Sequence, residues 1–191
     1  MKTAPSGDRW RCFPFDPSAP EGAPFSARYL VPGQAVGRFD LADAPAVRYL
    51  AESPEHAVGE VLAHFRGTRF RASYLRVGGF PLALVHVSLS DALLARIPDC
   101  TEASTLVTLD VRPNLLAHHD RKRTQALARA MHSAGYAGLR WWSALTGAWH
   151  TTVTFADAEG DDDVRFAAPR LLRADDDVVR QACELLGIRR D

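Results

Sequence analysis

The sequence predicts a single α+β domain in which mixed, largely antiparallel sheets surround a cleft and helices flank the sheets. Three observations predict this class. Val47–Ala51 has the β-branched and aromatic content of a short strand. Ser53 and Pro54, directly after it, are typical of a helix start. Farther along, His150–Phe155 reads as a strand that pairs back on the strand before it, and we expect helices to begin near residues 54, 121 and 177.

Length and composition limit the number of domains, the class of protein and its expected location. At 191 residues the chain is most economically one domain, 1–191, large enough for a sizeable core. Hydrophobic residues make up 47% and charged residues 24%, which is a globular composition. Lys plus Arg and Asp plus Glu both number 23, so we expect no direct nucleic-acid binding. The N-terminus lacks the apolar core of a signal peptide and no run is long enough for a membrane span, so we expect a cytoplasmic protein.

The cysteines and histidines give little reason to expect a metal. The chain has three cysteines, an odd number, and they lie far apart: Cys12, Cys100 and Cys183. This pattern predicts free thiols in a reducing cytosol. His118 and His119 precede Asp120, but adjacent residues rarely reach one ion without further ligands. Asp120 is better explained as a helix cap. We therefore expect no metal and no cofactor.

A long loop follows the first predicted strand, which covers residues 10–13. Residues 14–36 are rich in proline and glycine, and a loop of this length inside a compact domain is more often functional or mobile than not. Arg28 lies within it. Residues 158–191 form a C-terminal extension beyond a core of about 10–157.

Glu60 lies on the helix that begins at Pro54. Five apolar residues of this region fall on one arc at helical spacing and should face the core: Ala57, Val58, Val61, Leu62 and Phe65. Glu60 is just off this arc, so we expect its carboxylate at the boundary between core and cleft, a position that suits a catalytic acid. An isolated helical glutamate beside an apolar stripe is, however, most often an ordinary surface residue.

The remaining elements are predicted from periodicity and turn signals. They are a strand at 82–89, a short helix at 91–96, a strand at 106–111, a loop at 115–120, a helix at 121–134, a strand at 136–143, a strand at 150–155 and a helix at 177–186. The helix at 121–134 should turn four residues inward: Ala126, Leu127, Ala130 and Met131. Leu139, Trp141 and Ser143 should share one side of their strand.

An ordered set of motifs resembles the RES domain family. The motifs are WRCF, GRFD, VRYLAESPEHAVGEVL, TQALARAMHSAGYAGLRWWSAL and WHTTVTFAD, and together they cover residues from about 10 to 157. This family is named for its arginine, glutamate and serine and supplies toxins of bacterial toxin–antitoxin pairs. The resemblance implies a fold similar to ADP-ribosyltransferase toxins and consumption of NAD by hydrolysis or phosphorolysis of the nicotinamide–ribose bond. It also implies neutralisation by an Xre-type antitoxin.

The resemblance also implies which residues act. Carried over position by position, the family's functional residues are Arg11, Arg38, Tyr49, Glu60 and Ser143. Arg28 competes with Arg11 for the first arginine role, because the intervening loop is longer than usual in the family. The part of His150, near the serine, stays open. Arg38, Tyr49 and Glu60 are spaced at equal steps of eleven residues.

These residue types agree with NAD cleavage. Two arginines can clamp the two phosphates, and a carboxylate such as Glu60 can stabilise an oxocarbenium-like state at the ribose. Tyr49 offers a ring for nicotinamide to stack on and a hydroxyl for a polar contact. Ser143 would fix Glu60 or the ribose through a hydrogen bond. We therefore expect these side chains around one dinucleotide-sized hollow, with NAD as substrate and inorganic phosphate or water as acceptor.

Three alternatives stay open. The first is an ADP-ribosyltransferase with a protein or small-molecule acceptor. The second is an RNA-targeting toxin, favoured by the basic segment 66–76 and by His118 and His119, although the balanced charge favours a solvated edge for that segment. The third is a non-catalytic binding module. A homo-oligomer is compatible with the sequence, which does not decide the number of copies.

Overall fold

The structure is a computed structural model that describes residues 7–31, 35–41 and 45–190. Within these residues the chain forms eight β-strands and six α-helices. The strands are β1 (Asp8–Pro14), β2 (Val47–Ala51), β3 (Arg76–Val77), β4 (Phe80–Leu89), β5 (Gly138–Trp142), β6 (His150–Phe155), β7 (Val164–Phe166) and β8 (Arg170–Leu171). The helices are α1 (Pro54–Leu62), α2 (Asp91–Leu94), α3 (Ala103–Thr108), α4 (Pro113–Leu116), α5 (Arg121–Ser133) and α6 (Asp177–Leu185).

The described residues form two compact units, and the chain passes from one to the other several times. The first unit contains residues 7, 30–31, 35–41, 45–49 and 88–165. The second unit contains residues 8–29, 50–87 and 166–190.

In the first unit, β5 and β6 form an antiparallel pair whose register places Leu139 opposite Val153 and Trp141 opposite Thr151. Alternate residues of β5 point to the same side, so Leu139 and Trp141 both enter the core. β6 has β5 on one side and β2 on the other. The core also receives one face of α5 and residues from other segments: Phe39, Leu41, Cys100, Leu106, Leu116, Leu127, Ala128, Met131 and Phe155.

In the second unit, β4 lies between β3 and β1, and β1 pairs antiparallel with β2, with Trp10 opposite Ala51. β8 also pairs antiparallel with β4. Helix α1 packs against β1 and α6. Its buried face includes Ala57, Val58 and Leu62, all at most 5% exposed, as the apolar arc predicts.

Most sequence predictions of the fold are confirmed. The α+β class with mostly antiparallel strands and flanking helices is correct, and β2 and β6 have the predicted bounds. Three of the helices begin at the expected residues 54, 121 and 177. Ser53 caps α1 by accepting a hydrogen bond from the N–H of His56, and Asp120 caps α5 in the same way from Lys122. The three cysteines are free thiols.

The strand predicted at 106–111 is wrong, because residues 103–108 form helix α3. A short apolar run cannot by itself distinguish a strand from a buried helical turn. Here Leu106 is buried and Val107 is 80% exposed, and the N–H of Val111 returns to the carbonyl of Leu106. The loop predicted at 115–120 is also partly wrong, since its first two residues belong to α4.

The inward face of α5 differs from the prediction. Leu127 and Met131 are buried as expected, but Ala126 and Ala130 are exposed. The buried face instead continues through Thr124 and Ala128. Alanine carries little information about the direction of a helix because it fits either side. Val61 on α1 and Phe65, just after this helix, are similarly only half-buried.

No helix among the described residues combines the length and the apolar character that crossing a membrane requires.

Candidate functional site

The residues assigned to the site belong to different units. Arg38, Tyr49, Ser143 and His150 lie in the first unit. Arg11, Arg28 and Glu60 lie in the second unit. The expectation that these side chains share one dinucleotide-sized hollow stays a prediction.

A network around Asp40 shapes the GRFD turn in the first unit. One carboxylate oxygen, Oδ2, accepts hydrogen bonds from the N–H groups of Val36 at 3.0 Å and Gly37 at 2.5 Å. The other, Oδ1, accepts from the Tyr49 hydroxyl at 2.9 Å. That hydroxyl in turn accepts from the N–H of Phe39 at 2.8 Å. Burial, and then the charge of Asp40, raise the pKa of Tyr49, so it stays protonated and can keep donating.

Neighbouring residues hold both the side chain and the backbone of Arg38. Its guanidinium donates a 2.6 Å hydrogen bond to the carbonyl of His118 and lies over the ring of Trp141, 5.0 Å from the ring centre. Its backbone carbonyl accepts from the hydroxyl of Thr124 on α5. Gln125, also on α5, donates at 2.9 Å to the carbonyl of Gly37. The backbone and guanidinium of Arg38 are therefore both held, and the side chain is half-buried.

Ser143 directly follows β5 and is only 6% exposed. Its N–H donates to the carbonyl of Trp149 at 2.7 Å, which closes the connection between β5 and β6. Its hydroxyl oxygen accepts from the N–H of Leu145 at 3.1 Å. The hydroxyl thus stabilises its own turn, and its predicted contact with Glu60 or the ribose stays a prediction. No GxSxG sequence surrounds Ser143 to make it a hydrolase nucleophile.

His150, on β6, belongs to a hydrogen-bonded network that includes the charged residues Arg140 and Asp99. Arg140 donates to Nδ1 of His150 at 3.0 Å and to Oδ2 of Asp99 at 2.6 Å. Because a guanidinium is always a donor, Nδ1 of His150 is the acceptor, and a neutral ring then carries its proton on Nε2. Asp99 also accepts from the hydroxyl and the N–H of Thr101, at 2.6 and 3.0 Å. Burial raises the pKa of Asp99, but these bonds and the charge of Arg140 outweigh it and leave the pKa below its ordinary value.

Glu60 in the second unit is partly exposed, with 46% of its side chain accessible. Its Oε1 lies 2.9 Å from Nε2 of His56, one helical turn earlier on α1. His56 is 1% exposed, so the carboxylate is attached to a buried group although it faces outward. His56 is not among the residues that the sequence predicts for the site. The i,i+4 spacing to Glu60 is the signal that could have identified it.

The two arginines that compete for the first arginine role are engaged differently. Arg11 on β1 donates to the carbonyls of Ala27 at 2.5 Å and Tyr29 at 2.8 Å, which holds this part of the long loop. Arg28 pairs with Glu21 and lies 5.0 Å from the ring centre of Phe166. The side chain of Arg28 is 42% exposed and that of Glu21 75%, so solvent weakens this pair.

The structure also contains a buried ion pair that no sequence pattern predicts. Arg48 on β2 donates to both carboxylate oxygens of Glu159, at 3.0 and 2.8 Å. Their side chains are 7% and 10% exposed. Thr154 on β6 donates its hydroxyl to the same carboxylate. This bidentate pair joins the start of β2 to the segment after β6, within the first unit.

The described residues 7–31, 35–41 and 45–190 place no group of three or more His, Cys, Asp or Glu side chains where they could hold a metal ion. His118 accepts a 3.0 Å hydrogen bond at Nδ1 from the N–H of Asp120, so one of the two adjacent histidines has a local structural contact.

The comparisons with known proteins agree with this fold. The family model described as "RES domain" matches residues 8–175. A chain in the crystal structure of the M. tuberculosis MbcT–MbcA toxin–antitoxin complex has a similar fold, with a TM-score of 0.61 and 14% sequence identity. That similarity covers 95% of this chain and 90% of the other. No curated protein matches the sequence. Because the family model spans most of the chain, this protein belongs to the RES domain family.

Proposed function

We propose that this protein is the toxin of a toxin–antitoxin pair and that it breaks the nicotinamide–ribose bond of NAD. The observation that carries the proposal is the RES family match over residues 8–175. The fold similarity to a chain from a toxin–antitoxin complex supports the same assignment. Depletion of NAD would then be the cause of growth arrest.

Glu60 is assigned the central chemical role. As the bond between the ribose C1″ and the nicotinamide nitrogen breaks, its electron pair goes to nicotinamide, which leaves as a neutral molecule. Positive charge then develops on the ribose, and a carboxylate close to C1″ stabilises it. Two features of the Glu60 carboxylate support this assignment. It is accessible to a ligand, and its contact with His56 holds it in place.

The acceptor completes the reaction at C1″. Attack by water forms a C–O bond, releases a proton and gives ADP-ribose. Attack by an oxygen of inorganic phosphate forms a bond between C1″ and that oxygen, keeps the oxygen–phosphorus bond and gives ADP-ribose 1″-phosphate. Both routes begin with the same bond cleavage, so the proposal covers both.

Arg38 is assigned to a phosphate of NAD. A guanidinium keeps its charge at all relevant pH values and forms charge-assisted hydrogen bonds to phosphate oxygens. Its contacts with the carbonyl of His118 and the ring of Trp141 reduce the freedom that it would lose on binding. For Tyr49 we assign the ring, rather than the hydroxyl, to any contact with nicotinamide, because the hydroxyl already bonds to Asp40 and Phe39.

The proposed partner is an antitoxin of the Xre type, as the family resemblance implies. If this is correct, a protein that restores growth when co-expressed should also inhibit NAD cleavage by the purified toxin. Restored growth with undiminished NAD cleavage in the mixture would contradict the proposed mode of neutralisation.

The proposal is tested by incubating the purified protein with NAD, with and without phosphate, and identifying products by mass spectrometry. We expect nicotinamide in both reactions, together with ADP-ribose, ADP-ribose 1″-phosphate or both. Glu60→Gln removes the charge but keeps the shape, and we expect a loss of activity of roughly 100-fold or more. Glu55→Gln is the matched control, because Glu55 lies on the same helix and has no assigned role.

The outcomes separate the alternatives. ADP-ribose attached to a protein in treated lysate would instead show an ADP-ribosyltransferase. RNA cleavage that precedes the fall in NAD after induction would show an RNA-targeting toxin. Full toxicity of Glu60→Gln would favour a binding module, and intact NAD in every reaction would refute the proposed activity.

A further inference from the structure

His56 and Glu60 lie one turn apart on α1, and their environments are opposite. The His56 side chain is 1% exposed, whereas 46% of the Glu60 side chain is accessible. Nε2 of His56 lies 2.9 Å from Oε1 of Glu60. Exposed i,i+4 pairs usually contribute little, because both side chains must give up their freedom. Here packing already holds one partner, so only Glu60 has freedom left to lose.

The backbone of His56 is held as well. Its N–H donates to the hydroxyl oxygen of Ser53, the residue that caps α1, at 3.2 Å. Ser53, Pro54 and the first turn of the helix therefore fix the backbone position of His56, and the burial of its side chain fixes the orientation of the imidazole ring. The position of Nε2 is therefore determined by the fold rather than by the solvent.

We infer that His56 is a positioning residue that aims the Glu60 carboxylate at the reacting ribose. With Nε2 carrying a proton, the ring donates to Oε1 and leaves the negative charge on the carboxylate, where charge stabilisation needs it. A carboxylate fixed by a buried donor keeps one orientation before substrate arrives, and such preorganisation is what an accurately placed charge requires. This inference rests on the proposed function, because it gives Glu60 a task in NAD cleavage.

Two substitutions of similar size test the inference. The side-chain nitrogen of glutamine reaches about as far as Nε2 of histidine, whereas that of asparagine reaches only about as far as Nδ1. We expect His56→Asn to lower kcat for NAD by roughly 10- to 100-fold with KM within about 2-fold of wild type. We expect His56→Gln to restore most of kcat. A purely structural role would affect both variants alike, and thermal unfolding of each shows whether the fold is kept.

A second measurement does not depend on activity. In an ¹⁵N NMR spectrum that identifies histidine tautomers, we expect Nε2 of His56 to carry a proton and its resonance to move in Glu60→Gln. Glu55→Gln should leave that resonance in place. An unprotonated Nε2, or a resonance that Glu60→Gln does not move, would overturn the inference.

The two proposals fail in different ways. If wild type cleaves NAD and His56→Asn has the kcat of wild type, His56 does not position Glu60 and the proposed function stands. If kcat falls equally in both variants, the positioning role is likewise refuted. If wild type does not cleave NAD, the proposed function is wrong and the inferred task in catalysis falls with it, while the NMR measurement still decides whether His56 holds the carboxylate.

Discussion

The Tyr49 hydroxyl donates a 2.9 Å hydrogen bond to Oδ1 of Asp40. The same hydroxyl accepts from the N–H of Phe39, and the same carboxylate accepts from the N–H groups of Val36 and Gly37. A single tyrosine thus connects β2 to the turn that carries Arg38. The family resemblance implies a contact between Tyr49 and the substrate, which stays a prediction, and the geometry adds a role in shaping the turn.

Removing the Tyr49 hydroxyl should destabilise the first unit. Tyr49→Phe leaves Oδ1 of Asp40 and the N–H of Phe39 without this partner, and we expect a loss of about 1–3 kcal/mol in the free energy of unfolding. Urea unfolding measures it. Tyr136→Phe is the control, because Tyr136 also packs against the core of this unit. Equal losses in both variants would contradict a special role for the Tyr49–Asp40 bond.

The raised pKa of Tyr49 also predicts a pH dependence. Its pKa in the folded protein lies above the ordinary value of 10.0, because burial and the charge of Asp40 both disfavour the phenolate. The unfolded chain therefore releases this proton first, and stability that is complete below about pH 10 should decline as pH rises further. Urea unfolding between pH 8 and about pH 11 should show a steeper decline for wild type than for Tyr49→Phe. Parallel curves would refute the assignment.

Gly37 has no room for a side chain. A Cβ at this position would overlap Oδ1 of Asp40 and lie 2.5 Å from the hydroxyl oxygen of Tyr49. We therefore expect Gly37→Ala to displace the carboxylate and to cost about 1–3 kcal/mol of stability. At Gly147, in the same unit, a Cβ would meet nothing within 4 Å, so Gly147→Ala should be close to neutral. A neutral Gly37→Ala would show that the turn can adjust.

Breaking the Arg48–Glu159 pair should destabilise the protein strongly, whereas replacing both residues with apolar ones should keep most of its stability. Either Arg48→Met or Glu159→Leu alone leaves a buried charge without this partner, and we expect each to lose about 3–5 kcal/mol. The double variant should recover most of that loss, because it buries no isolated charge. Urea unfolding of all four proteins gives the coupling energy. As a control, the exposed pair of Arg165 and Asp162 should show little coupling. Additive losses at Arg48 and Glu159 would contradict the prediction.

Asp99 should contribute stability that acid removes. Burial raises its pKa, but the hydrogen bonds from Thr101 and the charge of Arg140 lower it below 3.8. The contribution should therefore be complete above about pH 3.8 and disappear as pH falls through the pKa of the folded protein. Asp99→Asn should accordingly be less stable than wild type at pH 7, with the difference shrinking below about pH 4. A difference between Asp99→Asn and wild type that stays constant from pH 7 to below about pH 4 would contradict this prediction.

Much of the local structure could be predicted because its causes lie within a few residues. Ser53 caps α1 through a donor three residues away, and alternate residues of β5 face the core because a strand places every second side chain on one side. The strand predicted at 106–111 failed for the opposite reason. Leu106 is buried and Val107 is exposed in either conformation, so the pattern did not distinguish α3 from a strand.

For the candidate site, residue types and motifs were enough to name the residues, but their contacts depend on the folded chain. A motif identifies Arg38, but the carbonyl of His118 and the ring of Trp141 reach it from far along the chain. Periodicity sets Glu60 at the edge of an apolar arc, but only the folded chain shows that His56, one turn earlier, is buried and bonded to it. The physical reason is the range of each signal. Periodicity and capping report neighbours in sequence, whereas hydrogen bonds and burial depend on segments that folding alone brings together.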